Sequence, residues 1–317
     1  MVLFVHKKNA LPLPEMKSRF LQALIAIFGV LTIVFFIMRL SGDPTLLLVP
    51  DGATAEQIAA LRHALGFDRP LLVQYGAYLL DLARLDLGES LVQHAPVAGI
   101  VAERIPYTMA LAGGALLVAL GVGLPAGLAM AVWRGTWLER ALAGFVLAGQ
   151  SLPTFWSGLL LILFFGVYLG WLPTSGSDDL ASLVMPSVAL GAITMSSFAR
   201  MTRIAVLDEL SRDYVAAGRA RGLSYGAVIL RHVLRNAAIP VVTIAALEVG
   251  NLLAGAVIVE TVFAWPGIGQ LAIQSIASRD FLVVQTIVLF VSMVYISMNL
   301  LADLAYGVID PRIRRDR

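Results

Sequence analysis

Six stretches of the chain are almost uninterruptedly apolar, and they alternate with segments that carry most of its charge. They cover residues 20–38, 107–133, 142–169, 183–207, 239–262 and 281–306. A bilayer's hydrocarbon layer is about 30 Å thick, so a helix needs roughly 20 mostly apolar residues to cross it, and each stretch qualifies. The pattern predicts an all-α integral membrane protein with six transmembrane helices. The third stretch is long enough to tilt. The fourth holds Pro186, Ser196, Ser197, Arg200 and Arg203, and is expected to be short and broken.

Two of the intervening segments are too long and too patterned for plain connectors. In residues 41–105, Thr54-Ala-Glu-Gln57 is a capping-box pattern, with Ile58, Leu61 and Leu65 following at helical spacing and Gly66 closing the helix. Residues 71–85 form a second expected helix, so this segment reads as a small external platform. It is either a passive cap over the helix ends or a docking surface for a soluble partner. The other segment, 208–240, is rich in Ala, Leu and Arg, and Gly222 and Gly226 punctuate two helical pieces. Arginine alone would serve to fix topology. Its small residues favour close backbone contact, as in a helix that fills a partner's groove.

Composition agrees with a bilayer: 59% of residues are hydrophobic and 14% charged, with a mean hydropathy of +0.84, far from a soluble domain. A net charge of +2, with the arginines dispersed, argues against nucleic acid. Charge instead orients the chain, because Lys and Arg concentrate on the cytoplasmic side. Seventeen of the 23 Lys and Arg residues fall before the first stretch, between the second and third, from the end of the fourth (Arg200 and Arg203) to the fifth, or after the sixth. Both termini are therefore expected in the cytoplasm. Residues 1–19 form a basic tail, and no small-residue cleavage site follows the first stretch, which reads as an uncleaved anchor. The chain has no cysteine, which excludes disulfides and thiolate metal sites.

Candidate chemistry is sparse. A phosphate-cradling Walker loop needs a Gly-Lys pair, and the only lysines are Lys7, Lys8 and Lys17. The string Gly222-Leu-Ser-Tyr-Gly226 fits a nucleophile elbow, but no strand leads into it and His232 is the sole nearby histidine. Gly267-Ile-Gly269 followed by Ala272 lacks the βαβ unit of a dinucleotide site and reads as a turn. His6, His63, His94 and His232 lack the spacing of a zinc site. Within the fifth stretch, Glu248, Asn251 and Gly255 share one face as a polar, open stripe. A carboxylate at that depth usually faces a bundle interior or a water-filled path. Two readings stand: Glu248 is neutralised or paired within the bundle, or it lines a pathway and attracts a cationic substrate group. Asp303, near the end of the sixth stretch, is expected to pair with an Arg or cap its helix.

Several separated motifs share one resemblance: Leu65-Gly-Phe-Asp-Arg-Pro70, Gln74-Tyr75, Glu260-Thr-Val-Phe-Ala-Trp-Pro-Gly-Ile-Gly269, Arg279-Asp280-Phe281, Asn299-Leu-Leu-Ala-Asp303 and Ile309-Asp-Pro-Arg-Ile-Arg314. Together they are similar to the permease subunits of peptide- and nickel-type ATP-binding-cassette importers, over nearly the whole chain. The resemblance implies a type I importer permease fold, with a periplasmic helical segment at 41–105 and a five-helix core at 106–317 containing a cytoplasmic coupling loop. In that loop Ala216, Ala217 and Gly218 stand where the family has Glu-Ala-Ala, and Gly222 is its following glycine. The Glu is absent, and Arg235 stands where the general importer pattern has Pro. The implied ATPase-coupling residues are these four with Arg219, Leu223 and Ser224.

Implied partners are a homologous second permease, two ATPase subunits, a substrate-binding protein and the lipid of a bacterial inner membrane, with no nucleic acid. This chain is expected to hold no cofactor, ATP and Mg being bound by the ATPases, and to catalyse nothing itself. Di- or oligopeptides, glutathione-like compounds and nickel chelates all fit as substrates. The competing class is a secondary transporter working alone, which would be expected to show inverted repeats and broken helices aimed at a midplane site. No clear repeat is visible.

Overall fold

The computed structural model describes residues 13–49 and 53–309, and among them helices are the only extended elements, with one isolated bridge between Glu89 and Pro96. The termini holding Lys7, Lys8 and Arg312 to Arg317 lie outside the described residues, as does the side chain of Asp303. The helix bundle has a basic end, near residue 13, and a platform end, near residue 40.

Helix α1 (Leu13–Leu40) runs to the platform end, where the chain makes a single turn of helix, α2 (Thr45–Leu48), then α3 (Ala55–Ala64) and α4 (Leu71–Ala83). The capping box forms as the sequence predicts: Thr54 Oγ1 accepts from Gln57 N and Gln57 Oε1 accepts from Thr54 N. Asp43 anchors the entry, accepting from Thr45 N at 2.9 Å and Thr45 Oγ1 at 2.6 Å and pairing with Arg62. Burial alone would raise the Asp43 carboxyl; the Thr45 hydrogen bonds and the Arg62 guanidinium outweigh it and hold it below the usual range.

The platform is not wholly external. Tyr75 of α4 shares a 2.6 Å hydrogen bond with Thr32 of α1, and its ring lies 5.1 Å from that of Phe35 and 6.5 Å from that of Phe28. Thr32 is eight residues, about 12 Å, before the end of α1. Helix α4 therefore dips alongside α1 to that depth, which suits its apolar composition.

Helix α5 (Val97–Val132) begins ten residues earlier than the apolar pattern suggests, carrying Pro106 and Pro125 in its interior. The 41–105 segment thus includes the first nine residues of α5, Val97 to Ile105. The third stretch is not one tilted helix. It divides into α6 (Trp137–Ser151) and α7 (Thr154–Leu161), which continues in wide π-type turns to Tyr168, and the two halves meet at 105°. Pro153 is the cause, since it drives the preceding Leu152 into an extended conformation (φ −88°, ψ 129°).

The fourth stretch departs in the opposite sense: α8 (Val184–Leu210) is continuous. Pro186 sits in its first turn, where the missing N–H has no helical partner to lose. Ser196 Oγ donates to Val146 O of α6 at 2.6 Å, so its hydroxyl is used between helices. Arg200 and Arg203 lie within this helix, and Arg203 reaches Glu139 of α6 with Nη2 at 2.5 Å and Nε at 3.1 Å.

After α8 come α9 (Asp213–Ala220) and the single turn α10 (Tyr225–Val228), which widens through Ile229–Val233 into α11 (Leu234–Val262). Helix α11 absorbs Pro240, so the last seven residues of the 208–240 segment, Leu234 to Pro240, belong to it. Helices α12 (Ile268–Ala277) and α13 (Phe281–Ile309) complete the chain. By length and composition α5, the 181–210 run and α13 can each cross a membrane, and the bent α6–α7 pair makes a fourth if its two halves count as one span; in α1 and α11 the apolar helical parts, Leu24–Leu40 and Gly250–Val262, are shorter.

Helices α5 and α8 form the spine of the core. On α5 Leu111, Ala115, Ala119, Gly123 and Gly127 recur every four residues as one narrow stripe, all buried. A Cβ on Gly123 would lie 2.7 Å from Met195 O, and one on Gly127 would overlap Ala199 O. Without a hydrophobic drive in lipid, helix pairs gain from such close backbone contact, and small residues permit it.

Candidate functional site

At the basic end, the short helices α9 and α10 form a hairpin whose outer surface is open. Helix α9 closes with a Schellman arrangement: Leu223 N donates to Gly218 O at 3.2 Å and Gly222 N to Arg219 O at 3.0 Å. Gly222 has φ +85°, the left-handed conformation that favours glycine. Ser224 then caps α10, its Oγ accepting from Ala227 N at 3.3 Å. The hydroxyl is a cap on an inter-helix turn, and no strand precedes it, so the nucleophile-elbow geometry is absent among the described residues.

The inward face explains how the hairpin is held. Val215, Val228 and Val233 are buried with Ala131 of α5, Ala205 and Val206 of α8 and Ala237 of α11. Above this patch sits Glu209 near the end of α8. Its carboxylate accepts from Tyr214 Oη at 2.8 Å, Arg212 Nε at 2.9 Å and Asn236 Nδ2 at 3.3 Å. One side chain thereby joins α8, the hairpin and the start of α11. Sequence reasoning passed over Glu209; the available signal was an acidic residue five positions before a Tyr at the foot of an arginine-rich helix.

The outward face carries most of the residues singled out from the sequence. Ala216, Ala217, Arg219, Gly222, Leu223 and Ser224 are exposed, while Gly218 is half-buried beneath Val228 and Leu223. The Arg219 guanidinium stacks 5.7 Å from the Tyr225 ring centroid. The result is a knob of two small side chains flanked by one cation, standing on an apolar base.

The stripe on α11 divides. Asn251 Nδ2 donates to Glu248 Oε2 at 3.2 Å, with Glu248 half-buried and Asn251 exposed. At Gly255 the face is not open, because Leu190 of α8 packs onto it and an added Cβ would lie 3.1 Å from Leu190 Cδ1. Glu248 and Asn251 form the accessible part.

A third constellation lies at the platform end. Glu260, fully buried in the last turn of α11, accepts from Thr108 Oγ1 of α5 at 2.7 Å and from Gly269 N and Gln270 N at 2.7 and 3.0 Å. Thr108 Oγ1 also accepts from Ile268 N at 2.8 Å, and Trp265 Nε1 donates to Tyr107 O at 2.9 Å. Three amides opening α12 are thus met by one carboxylate and one hydroxyl, the placement a helix N-terminus favours. The Gly267-Ile-Gly269 string is more than a turn. A Cβ at Gly269 would stand 2.5 Å from Val257 Cα, and one at Gly267 would overlap the Glu260 carboxylate. The sequence signal was a glutamate ending an apolar run, seven residues before a Gly-x-Gly.

The described geometry offers surfaces and joints, with Glu209 and Glu260 each tying together separate helices. Comparison with known proteins gives these features a context. Residues 123–315 match the family described as "Binding-protein-dependent transport system inner membrane component", and residues 15–112 match its N-terminal companion, "Binding-prot-dependent transport system membrane comp, N-term". The chain is 41% identical over 298 residues to the "Glutathione transport system permease protein GsiC" of Escherichia coli (strain K12), covering 94% of this chain and 97% of the relative. The same values hold for the protein of that name from Salmonella choleraesuis (strain SC-B67). Among solved structures, an inward-facing conformation of the MetNI methionine ABC transporter superposes with a TM-score of 0.59 at 21% identity, covering 68% of this chain and 98% of that one. That likeness supports the fold alone.

Proposed function

The chain belongs to the family of binding-protein-dependent transport system inner membrane components, as a non-catalytic permease of the dipeptide and oligopeptide type of ATP-binding-cassette importer, and from that premise we propose how it works and what it carries. It forms half of a translocation pathway beside a homologous permease, with six crossings and both termini in the cytoplasm. Two ATPase subunits sit beneath the basic end. A substrate-binding protein docks at the platform end. The substrate is a peptide-like molecule, a di- or oligopeptide or a glutathione-like compound; the likeness to permeases named for glutathione supports this class.

The α9–α10 hairpin carries the reading. Its exposed Ala216, Ala217, Arg219 and Leu223 are the parts that enter a groove on the ATPase, with Gly218 and Gly222 shaping the knob. Small side chains allow close backbone approach, and Arg219 supplies a cation at the rim. Closure of the two ATPases on ATP displaces the hairpin, and Glu209 passes that displacement to α8 and α11 together. Such a relay works only if the nucleotide-bound and nucleotide-free states stabilise different arrangements of these helices. The accessible Glu248–Asn251 pair lines the pathway, where the carboxylate attracts a substrate's amino group.

Reconstitution in proteoliposomes tests the proposal. Uptake of a labelled peptide or of glutathione is expected only when this chain, the second permease, both ATPases, the binding protein and ATP are all present. Uptake by the purified chain alone, driven by an ion gradient, would overturn it in favour of a secondary transporter.

A further inference from the structure

Between α4, α1 and α13 lies a cavity of about 230 Å³, several times the ~30 Å³ share of one water. Its wall on α4 and the preceding turn includes Arg69, Gln74 and Asp81, with Arg39 contributed by α1 and Gln285 by α13. Val73, Leu282 and Leu289 belong to its apolar part. Leu289 is eight residues into α13, about 12 Å from that helix's platform end. Since α4 reaches to Thr32 on the other side, the cavity lies within about 12 Å of the platform end of α1 and α13.

The polar groups there are incompletely satisfied. Arg39 lies over three rings, 4.6 Å from the centroid of Phe67, 4.9 Å from Phe281 and 5.2 Å from Phe35, and its Nε and Nη1 are buried without a hydrogen-bond partner. Gln285 is 2% exposed and its Nε2 is likewise unpartnered. Gln74 donates to Arg69 O at 2.8 Å, which leaves its Oε1 as a buried acceptor without a donor. Buried polar groups left unmet are costly, so a cavity lined by several of them suits a ligand that meets them. The unmet donors, Arg39 and Gln285, call for an anion with ester oxygens. Gln74 Oε1 is an unmet acceptor, the exposed carboxylates of Asp81 and Asp86 on the same wall favour a cation attached to that anion, and the apolar wall favours a hydrocarbon chain.

We propose that this cavity is a binding site for one zwitterionic phospholipid of the platform-side leaflet, its phosphate held by Arg39 and Gln285 and its ammonium by Asp81 and Gln74. The lipid would wedge α4 against α13 and so brace the platform on the bundle. This assignment concerns the cavity only and stands apart from the transport proposal.

Native mass spectrometry of the intact complex, purified from membranes containing both phosphatidylethanolamine and phosphatidylglycerol, reads the site. The wild type is expected to retain one phosphatidylethanolamine per chain after washing that strips bulk lipid. Arg39→Gln should lower that retention about tenfold or more, the weight of one charge-assisted hydrogen bond. Because Arg39 also packs on aromatic rings, Val73→Trp, which fills the mouth from an exposed position, should lower it independently. No retained lipid, equal retention of phosphatidylglycerol, unchanged retention in both variants, or full displacement by millimolar inorganic phosphate would each overturn the assignment, the last by marking a site for a soluble anion.

Discussion

Replacing Glu209 with alanine removes the one side chain that joins α8, the hairpin and α11. Its carboxylate is 13% exposed and accepts three hydrogen bonds, from Tyr214, Arg212 and Asn236. The arginine is 55% exposed, so its share of the loss is small, within about 1 kcal/mol. The Tyr214 bond, at 2.8 Å, is to a carboxylate, and such charge-assisted bonds contribute about 1.5–3 kcal/mol. Coupling free energies between sites are typically about 1–3 kcal/mol, so this loss is comparable with the whole linkage it is proposed to carry. In proteoliposomes, Glu209→Ala should lower the number of substrate molecules imported per ATP hydrolysed by about tenfold, the equivalent of ~1.4 kcal/mol, while the complex still assembles and hydrolyses ATP. Tyr214→Phe, which deletes only the hydroxyl, should fall between the mutant and the wild type. A wild-type transport ratio in Glu209→Ala, measured on a complex shown to contain the ATPases, would refute the relay.

Other expectations follow from the same geometry. Gly222→Ala meets no atom within 4 Å, so its effect is purely one of backbone, about 1–2 kcal/mol for a left-handed φ; substrate-stimulated ATPase activity should drop, and Gly222→Asn, which tolerates that conformation, should recover part of it. Equal activity in all three would argue that the turn carries no coupling. Gly269→Ala overlaps Val257 and Glu260 and should cost about 1–3 kcal/mol, seen as a lower Tm of the purified complex, whereas Gly76→Ala, with open space around it, should leave Tm unchanged. Glu248→Gln should reduce uptake of substrates with a free amino group more than of N-acetylated ones. An identical preference before and after would exclude that residue from the pathway.

Much of the fold was legible where one residue's local chemistry decides it. The Thr54–Gln57 capping box, the stop at Gly66 and the turn at Gly222 all depend on neighbours within a few positions, and all form. The third and fourth stretches depart from their patterns because a proline's effect depends on its position in the helix. Pro153 lies mid-stretch and bends the chain, whereas Pro186 falls in a first turn and does nothing. The depth of α4 could not be read from its own pattern, since what draws it inward is Tyr75 meeting Thr32 and Phe35, 40 or more residues away. The joints at Glu209 and Glu260 escaped for the same reason. Each looked like an ordinary acidic residue at a helix end, and its partners lie on other helices. Glu260 was visible only as part of a resemblance, with no indication that its carboxylate would close the amides of α12.

The most direct test uses the absence of native cysteine, which makes any introduced thiol unique in this chain. With Ala217→Cys in the assembled complex and single cysteines along the groove of the ATPase, oxidation should give a disulfide-linked permease–ATPase product whose yield changes when ATP is bound. Leu85→Cys, at an 86% exposed position on the platform, should give none. A linked product from Leu85→Cys and none from Ala217→Cys at any groove position would contradict the claim that the α9–α10 hairpin is where this permease receives the work of ATP.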